Sequence, residues 1–102
     1  MRVISQDGTI DISYKIATIL KRGNTILARN DRAEFELAEY STEVKAIKAM
    51  EILKEHYGLL SFMKLIAGTT KYESFIRRFT EDDFIKATTE YFQFPQDDEI
   101  EV

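Results

Sequence analysis

The chain has 102 residues, 44% of them hydrophobic and 31% charged, with no cysteine, one proline, one histidine and a formal net charge of −4. A chain of this size hides roughly 65% of the surface its extended form exposes, enough for one core and one domain without disulfides or a structural metal. Lack of cysteine excludes thiol nucleophiles, iron–sulfur clusters and thiolate zinc sites, and a lone histidine leaves few routes to general-base catalysis.

Residues 1–40 carry the alternation expected of strands. Arg2 to Ser5 and Thr9 to Ile12 flank Asp7-Gly8, a pair favoured in tight type I′ turns, and so predict a hairpin. The opening MRVISQDGTI has no uninterrupted apolar core of a signal peptide, so a cytoplasmic location is expected. Gly23-Asn24 separates Ile16 to Lys21 from Thr25 to Arg29, and an Asn30-Asp31-Arg32 turn leads into Glu34 to Tyr40. The sum is an antiparallel meander of three to five strands.

Ser41 is the expected N-cap of a long amphipathic helix over 41–57. At 100° per residue, Ala46, Ala49, Met50, Leu53 and Tyr57 share one face, while Lys45, Lys48, Glu51, Glu55 and His56 lie largely opposite. Gly58 is the expected terminator, since a left-handed residue past the helix end costs glycine little. Val44 and Ile52 fall within the polar arc, which predicts a cover, either Leu59 to Ala67 folding back or a second copy of the chain.

Residues 58–90 predict a mostly helical insertion. Leu59, Leu60, Phe62, Met63, Leu65 and Ile66 suit a short helix, Gly68-Thr69-Thr70 breaks it, and Thr80 with Glu81, Asp82 and Asp83 opens another. Tyr91 to Phe94 alternates like a strand rejoining the sheet, stopped by Pro95, and 95–102 reads as a solubilising acidic tail. The fold class is therefore α+β in a single domain: a meander packed against one long helix, a small helical insertion and a returning strand. The longest apolar stretch, Leu59 to Ala67, is far short of the ~20 residues that span a bilayer, so no membrane partner is expected.

Three blocks, MRVISQDGTIDISY, LAEYSTEVKAIKAMEILKEHY and YFQFPQDDEIEV, resemble a family of small phage and prophage proteins of Gram-positive bacteria. Together they cover roughly half of the chain. The sequence departs from the family pattern at Ser13, where proline is frequent, at Lys15, where glutamate is usual, and at Val44, where a second glutamate is typical. The last change removes the acidic member of a capping box from a helix capped at Ser41. The resemblance implies an origin and a bacterial host cytoplasm, and it carries no catalytic residue over to this chain.

His56, at the expected helix end beside Glu55, is better explained as a solvated histidine favoured by the helix dipole than as a base. There is no G-x-S-x-G elbow, and glycines 8, 23, 58 and 68 match no phosphate cradle. The acids at 81–83 and 97–101 lack calcium-loop spacing, so no metal or cofactor is expected. Charge is bipolar, with 13 bases and 10 acids in residues 1–78 against one and eight in 79–102.

The leading expectation is a non-enzymatic phage accessory protein that self-associates, as a dimer, or binds another phage or host protein, with Val44, Ile52, Leu59, Leu60, Phe62 and Met63 as the candidate interface. The alternative is a nucleic-acid-associated factor. It would use Lys64, Lys71, Arg77 and Arg78 interleaved with Tyr72, Phe75 and Phe79, although helical spacing makes those aromatics better core residues and the net acidity opposes it.

Overall fold

The structure, a computed structural model, describes residues 1–66 and 90–101. Among these residues six strands and one long helix form an α+β fold: β1 (Arg2–Ile4), β2 (Asp11–Ser13), β3 (Thr18–Arg22), β4 (Thr25–Arg29), β5 (Glu34–Glu39), α1 (Glu43–Ile66) and β6 (Tyr91–Gln93), followed by a 3-10 turn, Asp97–Glu99. The second expected helix and the aromatic run from Tyr72 to Phe79 lie outside the described residues.

The strands divide into two sheets rather than one meander, ordered β2-β1-β6 and β3-β4-β5. In the first, β2 pairs antiparallel to β1, whereas β6 pairs parallel to it, with Val3 opposite both Ile12 and Phe92. The C-terminal strand thus rejoins the sheet of the first strand. In the second sheet, all pairs are antiparallel, and a bulge leaves Leu37 unpaired between Ala38 opposite Ile26 and Glu36 opposite Leu27. The carbonyl of Leu37 instead accepts the main-chain N–H of Gln6 at 2.7 Å, so the residue that breaks one ladder ties the two sheets together.

The Asp7-Gly8 hairpin is wider than a type I′ turn. Gly8 has φ +79°, but Asp7 does not take the positive φ that such a turn requires of both central residues. The Asp7 carboxylate accepts from the Ser5 hydroxyl at 2.7 Å and from the Thr9 N–H and hydroxyl at 3.0 and 2.7 Å, which organises a loop from Ser5 to Ile10 and moves β2 to Asp11–Ser13. At the second hairpin, Gly23 has φ +64° and Asn24 does not, the φ pattern of a type II′ turn. The third turn is an Asx turn, with Asn30 Oδ1 accepting from Arg32 and Ala33 N–H at 2.9 Å each.

Thr42, not Ser41, caps α1: its hydroxyl accepts the Lys45 N–H at 3.2 Å. The helix also runs through Gly58 to Ile66. Ala46, Ala49, Leu53, Leu60 and Met63 recur on its inward side and are all buried. Continuing that line past glycine hides two more large side chains at roughly 1.5–3 kcal/mol each, against about 1 kcal/mol for the glycine. The stretch after Gly58 therefore does not fold back over Val44 and Ile52.

The core joins both sheets to the helix. Val3, Phe92 and Phe94 from the first sheet and its extension meet Ile26, Ala28 and Leu37 from the second, with Ala46, Ala49 and Leu53 above them. Alanines at two helical core positions let α1 approach the strands closely. Among the described residues no helix is long and apolar enough to cross a membrane.

Candidate interaction surface

Where α1 passes beside β3, the first strand of its sheet, two adjacent hollows open. One, of about 260 Å³, is lined by Lys21, Ile47, Met50, Glu51 and Lys54. The other, of about 220 Å³, is lined by Tyr14, Ala17, Ile19, Met50, Leu53 and Lys54. Met50 and Lys54 belong to both, so the two form one shallow, largely aliphatic trough between helix and strand. Tyr14 stacks on Tyr57 with ring centroids 4.4 Å apart and tilted by 32°, which fixes one end. At the other end the Lys21 ammonium meets the Glu43 carboxylate at 2.8 Å and pulls that carboxyl below its ordinary range.

The exposed flank of α1 next to this trough is apolar. Val44 is 57% exposed and Ile47 43% exposed, and they lie one turn apart. Of the sequence-predicted interface, Val44 and Phe62 are on the outer surface, Ile52 is half-buried against the core, Leu59 is half-buried, and Leu60 and Met63 are enclosed at 5% and 3% exposure. These six do not form one patch. Val44 and Ile52 are expected on the long helix and Leu59, Leu60, Phe62 and Met63 on a separate short one, and a single continuous helix sends the six to different sides.

For the nucleic-acid alternative, Lys64 is exposed and bound to Glu90 at 3.0 Å, which holds the Glu90 carboxyl below its usual range. Lys71, Arg77 and Arg78 lie outside the described residues, as do Glu81, Asp82 and Asp83. His56 is half-buried, with its ring 5.6 Å from that of Phe92, rather than fully solvated. Among the described residues no three histidine, aspartate or glutamate side chains converge as a metal set.

The sequence reading missed Ile47, Met50, Lys54, Ile19 and Tyr14 as surface features. Ile47 was legible, since it falls on the same solvent side as Val44 at i+3. The others depend on β3 lying against α1, which periodicity does not encode. Compared with family models, with curated proteins and with solved structures, the chain matches none.

Proposed function

We propose that this protein acts by binding another protein chain, a second copy of itself or a partner, and not by catalysis. In the setting the sequence resemblance implies, it is an accessory protein of a phage or prophage working in the host cytoplasm. The observation that supports this reading is the pair of exposed aliphatic side chains, Val44 and Ile47, beside the trough around Met50 and Lys54. Water-exposed aliphatic side chains next to an open apolar hollow gain free energy when another surface covers them.

Photo-crosslinking tests it, with a photoreactive residue in place of Ile47 in the full chain, expressed in bacterial cells. The expected adduct is with a protein, its identity read by mass. Adducts with nucleic acid alone, or none at this position, would overturn the reading.

A further inference from the structure

Among the described residues β3 lies at the end of its sheet, with a neighbour on one side only. Arg22 and Thr25 close the two-residue turn, and such a closing pair exchanges hydrogen bonds, so Arg22, Leu20 and Thr18 turn their main-chain groups toward β4. Ile19 and Lys21 turn theirs outward, where among the described residues no group bonds to them. The side chains of the same two residues line the two halves of the trough. A strand added about 4.8 Å beyond β3 would therefore hang its alternate side chains over Met50 and Lys54.

We infer that the β3 edge and the trough beneath it form a strand-addition site for an extended segment of a different protein, one that carries both apolar and acidic side chains on a single face, at every second residue. Charge selects this occupant. The stretch Lys15 to Arg22 contains three bases and no acid. Glu43 and Glu34 engage Lys21 and Arg22, while Lys15 and Lys54 are exposed and have no ion pair among the described residues. A second copy's β3 would bring up another edge rich in bases and without acids, and lysines on an edge keep identical edges apart. Only every second residue of the incoming segment faces the trough, and among these the apolar ones would meet Ile19, Ile47 and Met50 and the acidic ones Lys15 and Lys54. This inference rests on the protein-binding reading above and specifies the partner's chemistry.

The test uses the full chain and two synthetic probes, acetyl-(Val-Thr-Glu-Thr)2-amide and acetyl-(Val-Thr-Lys-Thr)2-amide, which place apolar and charged side chains on one face, at millimolar concentration, with amide hydrogen exchange as readout. The acidic peptide is expected to slow exchange of the Ile19 and Lys21 amides roughly tenfold or more, and the basic peptide to leave them unchanged. Lys54→Glu should weaken the acidic peptide roughly tenfold. Ile19→Pro removes an outward N–H without removing a bond to β4 and should abolish binding, with retained protection at Leu20 and Leu27 showing an intact hairpin. Should that variant fail to fold, Lys54→Glu decides the matter alone. Unprotected Ile19 and Lys21 amides, equal effects of both peptides, or an unchanged affinity in Lys54→Glu would overturn the inference. A protein adduct at position 47 with unprotected edge amides would sink this inference and leave the broader reading standing. Failure of both measurements would sink both.

Discussion

Asp97 acts far beyond its own turn. One carboxylate oxygen accepts the Ser41 N–H at 2.7 Å, and the other accepts the Ser41 hydroxyl and the Lys45 ammonium at 3.1 Å each. The Ser41 N–H chiefly, then Lys45, holds its carboxyl below the ordinary value of 3.8. Asp7 is pulled down further, to about 2, first by the Thr9 hydroxyl, then by the Thr9 N–H and the Ser5 hydroxyl. A carboxyl with a depressed folded pKa contributes stability that is fully present above its unfolded pKa and is lost as pH falls through the folded one. Urea midpoints should therefore be level from neutral pH to about 4 and fall between there and about 2. Asp97→Asn should be less stable than the parent at pH 6, and the gap should close on acidification. A gap independent of pH would show that the charge of Asp97 contributes nothing. Composition made these acids visible as a charged tail but not as a clamp, because Ser41 and Lys45 are 56 and 52 residues away along the chain. Thr42 was obscured for the same reason: with Ser41 and Thr42 adjacent, only the chain path fixed by Asp97 decides which hydroxyl faces the helix.

At the scale of elements, the strands were the most legible part. β-Branched residues mark β3 and β4, alternation of Glu34, Phe35, Glu36 and Leu37 marks β5, and the Gly23-Asn24 and Asn30-Asp31-Arg32 turns are where the residues place them. The helix end was not legible at Gly58, because a glycine after an aromatic residue satisfies a terminator's pattern while the inward line through Leu60 and Met63 favours continuation. Gly58 has no positive φ, and a Cβ placed on it would meet nothing within 4 Å. Gly58→Ala should therefore stabilise the protein by about 0.5–1 kcal/mol, read as a higher melting temperature. A left-handed terminator would respond in the opposite sense, so a destabilised variant would show that the helix stops there. The candidate surface was legible only in its helical half, at Val44 and Ile47. Its other wall comes from β3, whose position against α1 follows from packing of the whole core.

For the molecule as a whole, Gln6 is the junction. Its N–H donates to Leu37, its Oε1 accepts from Glu39 N–H at 3.2 Å, its Nε2 donates to the Pro95 carbonyl at 3.2 Å, and its own carbonyl accepts from Gln96 at 2.7 Å. The buried Tyr40 hydroxyl donates to the same Pro95 carbonyl at 2.8 Å, and burial pushes its ionisation upward. One side chain thus holds the bulged strand of the second sheet and the segment after β6 to the end of β1. Gln6→Ala should cost about 1–3 kcal/mol, since it removes two bonds and leaves part-buried main-chain groups without partners. A shift of the urea midpoint within error of zero would show that water replaces it fully. The split into two sheets could not be read from alternation, because the tie between the sheets is a main-chain bond from Gln6 to the Leu37 carbonyl, and the bulge leaves no mark in the sequence beyond the adjacent apolar pair Leu37-Ala38, both buried.

The parallel pairing of β1 with β6 has a kinetic corollary. Gln6 and Gln96 join across 90 residues, and Arg2 waits for Tyr91 before its sheet can close. A chain emerging from the ribosome can form the β3–β5 hairpins early, but its first strand remains without one flank until residues 91–93 have emerged. Closure of the first sheet is then tied to this distant pairing, and loop closure over so long a span makes it the slow step.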